Sequence, residues 1–334
     1  MVARLVPLAV VMMIVGMSVP AEPGAGAGDT YVVVAVSDTC GEHFPKELSD
    51  RDQYDKVADL IDAMDTEYLL AAGDLQHDFG VLEDYLKYYD SEFGRLRDIT
   101  YPIPGNHDYY WDAEQYQEHN NPWSSSNGSG FLDYFSDRLE QISTDPATLE
   151  YSYYSFDIGT NWHVIALNSI IAIDYNYTEV GSPAYLQYEW LKQDLAEHPN
   201  DQFRGTIAYF HHPLFDWELP PSDMWPSLEL IPIWELLDES GVDIVINGHA
   251  HNYQRWAPQD AYGNYKEDGI RQYIVGAGGY YTNNLGKPPQ PTNFDWGQDK
   301  EFGVLKLTLL DDSYVFEYIS ISGEVLDSDE VPLY

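Results

Sequence analysis

The chain has 334 residues, of which 44% are hydrophobic and 15% aromatic, a composition that supports a sizeable core and excludes an intrinsically disordered protein. Its 56 acidic residues against 16 basic ones give a formal net charge of -40. Because phosphate polymers bind basic surfaces, this charge excludes nucleic acids as expected partners and favours a solvated acidic surface suited to halophilic surroundings. The single cysteine, Cys40, excludes an intramolecular disulfide.

The first 28 residues differ from all that follow. Arg4 precedes an uncharged apolar run over 5–19, and small residues follow to position 28. This pattern is typical of a secretory signal, so we predict a secreted protein with one domain over 29–334 and no stable membrane insertion after cleavage. The alternative is an uncleaved segment that anchors the protein to the outer face of the membrane. The sequence leaves the oligomeric state open.

In the first part of the domain, strands alternate with helices. The hydrophobic patterns predict strands over 30–36, 68–72 and 99–103, and helices over 51–64 and 81–96. This alternation favours an α/β arrangement with a largely parallel sheet, in which ligands collect at the carboxyl ends of the strands. Asp38, Asp74 and Asn106 follow these three strands and are therefore expected at one edge of the sheet.

The second part of the domain contains long irregular stretches and further strands. Loops are predicted over 109–130 and over the proline-rich 215–232, where tyrosines and tryptophans are expected to shape a substrate pocket. The remaining patterns predict strands over 151–157, 162–167, 206–210 and 242–246, helices over 183–196 and 233–237, and a β-rich tail over 270–332. His211 directly follows one of these strands, and His249 and His251 follow another.

Polar residues at the predicted strand ends form a set of metal-ligand types. The set comprises Asp38, Asp74, Asn106, His211, His249 and His251. Taken singly, each of these residues has an ordinary explanation as a turn or loop residue. Their joint recurrence after apolar strands instead indicates a site for iron, manganese or zinc, because such ions accept mixed oxygen and nitrogen donors. Six ligands exceed one four-coordinate site and suit two ions that share a carboxylate.

Longer motifs around these residues carry a family resemblance. Asp38, Gly73-Asp74, Gly105-Asn106-His107-Asp108, His211-His212-Pro213 and Gly248-His249-Ala250-His251 occur in this order. Together they resemble the calcineurin-like metallophosphoesterase superfamily, in its purple-acid-phosphatase-like branch of secreted prokaryotic type. The resemblance covers nearly all of residues 30–285. It implies an α/β (α+β) metallo-dependent phosphatase fold, with two mixed β-sheets in a sandwich flanked by helices.

The resemblance also implies roles for individual residues. It implies one ion held by Asp38, Asp74 and His251, and a second held by Asp74, Asn106, His211 and His249, with Asp74 as the bridge. His107 would contact the phosphate or protonate the leaving group, and Asp108 would orient His107. The implied activity is hydrolysis of a small phosphate monoester by attack of a metal-bound hydroxide.

Two positions depart from the family pattern. His77 stands where purple phosphatases have a tyrosinate ligand, so it either binds a metal or makes a hydrogen bond, and it cannot give the iron–tyrosinate colour. Cys40 stands where many relatives have a histidine two residues after the first aspartate, and we expect it to pack in the core. His212 is expected either at the metals or in the surrounding shell. Tyr253 and Arg255 are candidates for contact with substrate, with an ion pair as the alternative for Arg255.

Other functions remain as alternatives. The same site could hydrolyse phosphodiesters or nucleotides, because the metal-binding motifs are shared among these activities. A further alternative is a secreted metal- or ligand-binding protein that lacks turnover. The sequence contains no His-Glu-x-x-His string, which excludes that class of metalloprotease.

Overall fold

The computed structural model describes residues 30–41, 53–77, 79–109, 129–143, 145, 149–199, 202–219 and 227–333. The predicted signal segment over 1–28 lies outside the described residues, as do 110–128 and 220–226 of the two predicted loops. Within these ranges, no helix combines the length and the apolar character needed to span a bilayer.

The strands alternate with helices in the first two thirds of the chain and follow one another closely in the last third. The strands are β1 Tyr31–Val36, β2 Cys40–Gly41, β3 Tyr68–Ala72, β4 Gln76–His77, β5 Thr100–Ile103, β6 Tyr154–Ile158, β7 Trp162–Ala166, β8 Gly205–Tyr209, β9 Glu218–Leu219, β10 Ile244–Asn247, β11 Tyr253–Trp256, β12 Arg271–Val275, β13 Asn284–Leu285, β14 Phe294–Gln298, β15 Gly303–Leu309, β16 Ser313–Ser320 and β17 Val325–Pro332. The α-helices are Tyr54–Asp62, Leu82–Asp84, Asp90–Phe93, Ser129–Ile142, Ser169–Asp174, Pro183–Glu197 and Ile231–Glu239. Shorter helical turns are the π-helix Tyr85–Tyr89 and the 3₁₀ turns Gly94–Ile99, His107–Tyr109 and Leu228–Leu230.

Two mixed sheets form the body of the protein. The first has the strand order β17-β16-β15-β1-β3-β5, and the second has the order β14-β11-β12-β10-β8-β7-β6. β1, β3 and β5 are parallel, whereas β15 pairs antiparallel with β1. The expected pair of mixed sheets is therefore confirmed. The parallel arrangement expected for the first three strands is also present, but the first sheet as a whole is not largely parallel. The reason is that the β-rich tail returns to the free edge of β1 and adds an antiparallel meander there.

Tyrosine hydroxyl groups join the two sheets inside the apolar core. The Tyr154 hydroxyl donates to the Pro102 carbonyl oxygen at 2.9 Å and lies 3.0 Å from the Tyr209 hydroxyl oxygen. Tyr209 in turn donates to the Tyr101 carbonyl oxygen at 3.1 Å. A buried phenol keeps a large apolar area out of water provided that its hydroxyl finds a partner. These bonds therefore fix β5 of the first sheet against β6 and β8 of the second.

The predicted helix over 81–96 is broken in the structure. Its middle is a π-helix, which buries Tyr85 and Tyr89, whereas Leu86 is 56% exposed. A regular helix over 81–96 was expected to place Leu82, Tyr85, Leu86 and Tyr89 on one apolar face, and this is wrong, because the wider π turn leaves Leu82 and Leu86 toward solvent. Tyr85 is drawn inward by its hydrogen bond to the carboxylate of Asp108.

Candidate metal centre

Strand ends from both sheets meet at one place, and they bring together all six residues predicted as metal ligands. β1, β3 and β5 lead to Asp38, Asp74 and Asn106, and β8 and β10 lead to the histidines. Half of the centre therefore comes from each sheet. His249 is half-buried, and the other members of the set are buried: Asp38, Asp74, Asn106, His211 and His251.

The first group of donor atoms surrounds Asp38. Its Oδ1 atom lies 3.2 Å from Nε2 of His251 and 3.5 Å from Nε2 of His77. The ligand atoms of these three residues all lie within 4.8 Å of one another. The other carboxylate oxygen of Asp38 accepts a hydrogen bond of 2.9 Å from the backbone N–H of His249. One oxygen therefore fixes the loop, and the other faces the imidazoles.

The second group of donor atoms surrounds Asn106. The amide oxygen of Asn106 lies 3.1 Å from Nε2 of His211 and 3.1 Å from Nδ1 of His249. His211 Nε2 also lies 3.2 Å from Oδ2 of Asp74. The same Asp74 oxygen lies 3.8 Å from Nε2 of His77, a member of the first group. Asp74 is therefore placed between the two groups, as a bridging carboxylate requires.

The pKa values of these groups are strongly shifted by burial and by one another. Burial raises the pKa of Asp38 to about 8, and the nearby His211 only partly offsets this increase. Burial, together with repulsion among the imidazoles, lowers the pKa of His249 and of His251 to about 3, so both are neutral, as metal-ligating imidazoles are. Among the described residues, Oδ1 of Asp38 is buried with no hydrogen-bond donor. A divalent ion would supply the positive charge that this carboxylate needs, so the residues fit a metal centre.

The backbone at three of the donor residues is strained. Asp38, Asp74 and His249 have positive φ angles of 58°, 49° and 69°. The left-handed conformation costs a non-glycine residue about 1–2 kcal/mol. Such strain clusters at functional sites, where the surrounding structure enforces it. Here it directs the side chains of three loops, those after β1, β3 and β10, into the same small volume.

Glycines allow these loops to approach one another. A Cβ atom on Gly105 would lie 2.2 Å from Oδ1 of Asp74, and one on Gly248 would lie 1.8 Å from the Ser37 hydroxyl oxygen. Both separations are far shorter than a van der Waals contact. The glycines of the Gly-Asn-His-Asp and Gly-His-Ala-His motifs are therefore required by packing against the neighbouring loops.

The structure gives Asp108 a role that differs from the predicted one. Its carboxylate accepts hydrogen bonds from the backbone N–H groups of Gly105 at 2.7 Å and Gln76 at 3.2 Å, as well as from the Tyr85 hydroxyl. The prediction that Asp108 orients His107 is therefore wrong, because its donors come from the two ligand-bearing loops. His107 is half-buried, and its backbone N–H donates to Oδ1 of Asp74 at 2.8 Å.

His212 lies beside the second group of donor atoms. Its ring centroid is 4.4 Å from that of His249, and its Nδ1 atom is 3.0 Å from the Ser169 hydroxyl oxygen. Burial lowers the pKa of His212 well below its usual value. Its ligand atom lies within 4.8 Å of those of His211 and His249, so the structure brings His212 to the centre.

Tyr253 and Arg255 lie in β11, where both donate hydrogen bonds that join the two sheets. The buried Tyr253 donates to a carboxylate oxygen of Asp327 at 3.0 Å, and Nε of Arg255 donates to the same oxygen at 2.8 Å. Arg255 also donates to Asp295 at 2.9 Å. The structure thus shows the ion pair that was the alternative for Arg255, and it places Tyr253 in the core, not in contact with substrate. Instead they connect β11 of the second sheet with β17 of the first through Asp327.

The sequence analysis missed two aromatic residues at the centre. The Tyr280 ring stacks on His77 at a centroid distance of 4.0 Å, and the Tyr281 ring lies 4.1 Å from that of His251. Both tyrosines follow the run Gly276-Ala277-Gly278-Gly279 after β12. The glycines are the available signal, because a Cβ atom on Gly276 would lie 2.0 Å from the Ala250 carbonyl oxygen.

The comparison with protein families agrees with the fold and with this geometry. Residues 31–253 match the family described as calcineurin-like phosphoesterase. The matched range contains every residue of both donor groups. The chain belongs to the calcineurin-like phosphoesterase family, which confirms the predicted superfamily.

Similar proteins include purple acid phosphatases. The chain is 32% identical over 150 residues to purple acid phosphatase 15 of Arabidopsis thaliana, covering 42% of this chain and 25% of the relative. It is 23% identical over 303 residues to acid phosphatase type 7 of Danio rerio, covering 78% of this chain and 60% of the relative. The matched segments thus span a quarter to three fifths of these relatives. In fold, the chain resembles purple acid phosphatase PPD1 from yellow lupin, with a TM-score of 0.69, 19% identity, and coverage of 93% and 55% of the two chains. The predicted purple-acid-phosphatase-like branch is confirmed.

Proposed function

We propose that the protein is an exported, metal-dependent hydrolase of small phosphate monoesters. The observation that carries this proposal is the pair of donor groups that share Oδ2 of Asp74. When bound, two divalent ions in such a site lower the pKa of a water molecule and offset the negative charge of the phosphoryl oxygens. One ion would be held by Asp38, Asp74 and His251. The other would be held by Asp74, Asn106, His211 and His249.

The residues of the chain position the reacting groups. The backbone bonds to Asp38 and Asp74 hold each carboxylate with one oxygen facing the donor groups. We assign proton donation to the leaving-group oxygen to a ring nitrogen of His107. Its half-exposed side chain allows it to meet both the substrate and solvent, and its backbone bond to Asp74 fixes its distance from the centre.

The preference for a small substrate rests on charge. With a net charge of -40, the surface repels a phosphate polymer, whereas a single phosphate group can be attracted locally by bound cations. We therefore propose a small phosphate monoester as the substrate. The choice between monoester and diester depends on residues around the centre, so it is tested directly with both substrate types.

The test compares p-nitrophenyl phosphate with bis(p-nitrophenyl) phosphate in high salt, with Mn²⁺, Zn²⁺ or Fe²⁺ added. Asn106→Ala is the blank, because it removes the amide oxygen shared by His211 and His249. We expect metal-dependent turnover of the monoester that falls at least about 100-fold in the blank, as expected for loss of a metal ligand. Faster turnover of the diester would refute the monoester proposal. The absence of turnover in folded, metal-loaded protein would refute hydrolysis and favour a binding protein.

Export is supported by the composition of residues 1–28. Arg4, the apolar run over 5–19 and the small residues after it resemble a cleavable signal. The test is expression of the full chain in a secreting host, followed by determination of the amino terminus of the product. A mature terminus near residue 28 in the medium supports export. An intact terminus in the membrane fraction supports an anchor on the outer face.

A further inference from the structure

His77 is held rigidly at the first group of donor atoms. It belongs to β4, which pairs in parallel with β2 so that His77 is opposite Gly41. A Cβ atom on Gly41 would lie 2.8 Å from both the Cβ of His77 and the ring of Tyr280. Tyr280 covers the imidazole at 4.0 Å with an angle of 10° between the ring planes. Only glycine at position 41 leaves room for this stack, and the stack fixes the direction of the imidazole.

The position of His77 leaves its polar atoms without an ordinary partner. The side chain is fully buried, and within the described part of the chain neither ring nitrogen makes a hydrogen bond. A buried polar atom without a partner costs about 1–3 kcal/mol. Because the imidazole is buried beside two carboxylates in this way, its partner is expected to be something other than a hydrogen-bonding group of the protein.

The spacing of the nearby donors identifies that partner as a metal ion. Nε2 of His77 lies 3.5 Å from Oδ1 of Asp38 and 3.8 Å from Oδ2 of Asp74, and His251 Nε2 lies 3.2 Å from the same Asp38 oxygen. Two ligands bonded to one ion at about 2.1 Å and at about 90–110° to each other are about 3.0–3.4 Å apart. Three of the donor residues thus already stand near the separations of a shared coordination sphere.

We propose that His77 is a ligand of the ion held by Asp38, Asp74 and His251, and that this position takes a divalent ion. The proposal rests on the two-metal centre of the proposed function. A neutral imidazole brings one negative charge fewer than a phenolate in the same place. With two carboxylates, one of them shared, the position carries too little negative charge to favour a ferric ion. It suits Zn²⁺, Mn²⁺ or Fe²⁺, which accept imidazole and carboxylate together.

The test counts bound histidines instead of measuring turnover. The full chain is loaded with Co²⁺, and the exchangeable ring N–H signals shifted by the paramagnetic ion are counted by NMR. His77→Gln is compared with the wild type and with the control His198→Gln. His198 is 26% exposed and belongs to a separate group with Asp157 and His163, so this control shows whether any shifted signal comes from that group instead. We expect one shifted signal fewer in His77→Gln, together with a metal affinity that falls by about 100-fold or more. The control should match the wild type in both readouts.

An unchanged signal count and unchanged affinity in folded His77→Gln would overturn the proposal. A second variant, His77→Tyr, guards against a failure to fold. Loaded with Fe³⁺, the oxidation state whose bond to a phenolate absorbs visible light, it should gain an absorption band that the Fe³⁺-loaded wild type lacks. Such a band in the wild type, or its absence in a folded and iron-loaded His77→Tyr protein, also overturns the proposal.

These results are separable from the proposed hydrolysis. If the wild type hydrolyses p-nitrophenyl phosphate but the signal count is unchanged in His77→Gln, only the proposed role of His77 is refuted. If His77→Gln loses one signal but the wild type binds two ions without turnover, only the proposed hydrolase activity is refuted.

Discussion

Gly105→Ala gives a sharp test of how the candidate centre is built. The added methyl group would lie 2.2 Å from Oδ1 and 2.4 Å from the backbone nitrogen of Asp74, so one of the two loops must move by about 1 Å to reach an ordinary contact. A shift of about 1 Å at reacting groups costs about 100-fold in rate, which corresponds to about 2.7 kcal/mol in activation free energy. Overpacking should also lower the free energy of unfolding by about 1–3 kcal/mol.

The assay measures kcat for p-nitrophenyl phosphate, bound metal per chain and Tm in the same preparation. Gly181→Ala is the control, because a Cβ atom there meets nothing within 4 Å and only the cost of its φ of +88° remains. We expect Gly105→Ala to lose both metal and turnover and Gly181→Ala to keep both. A Gly105→Ala protein with wild-type kcat and metal content would show that the position of Asp74 does not control the centre.

Three further outcomes are expected. Arg255→Met should lower the free energy of unfolding by about 1–3 kcal/mol, because the half-buried Asp327 loses its two hydrogen bonds from Arg255 and keeps the one from Tyr253. KM should stay constant, and a raised KM with normal stability would restore Arg255 as a substrate contact. Burial lowers the pKa of His163, but the hydrogen bonds to Asp194 and Asp157 outweigh it and raise the pKa above 6.5. The stabilisation from charged His163 should therefore be complete below pH 6.5 and disappear as the pH rises through the raised pKa. Denaturant unfolding of wild type and His163→Gln from pH 5 to 9 should show a difference in unfolding free energy that closes on the alkaline side. A difference that stays constant with pH contradicts the charged pair. Removal of the metal by a chelator should lower Tm, and adding the ion back at 1,000 times its Kd should raise the free energy of unfolding by about 4 kcal/mol. An unchanged Tm in protein shown to have lost its metal contradicts metal binding by the folded state.

Local patterns in the sequence were sufficient to predict the strands that carry the centre. β3 begins and ends where predicted, and β1, β5, β8 and β10 agree within two residues. This agreement has a physical cause. Strands buried on both faces are continuous apolar runs, and the polar residue at the end of each run stands out clearly. The histidines and carboxylates of the centre were found in the same way.

Tertiary contacts decided the features that the sequence did not reveal. The π-helix at Tyr85 depends on a bond to Asp108, which lies 23 positions further along the chain. The role of Arg255 depends on Asp327, which is 72 positions away, and no local pattern shows that pairing. The stack of Tyr280 on His77 joins residues that are still further apart in sequence. In each case a distant side chain outweighed the local signal.

The way β1 is paired has a consequence for the order of folding. β1 carries the first aspartate of the centre, yet one of its two neighbours is β15, where Val32 pairs with Thr308. β1 can pair with β3 early, but its pairing with β15 is completed only after almost the whole chain is available. Contacts between such distant segments form slowly. The first sheet is therefore complete only late in synthesis, and for an exported protein, as we propose, such an order would suit passage through a translocation channel before the ions bind.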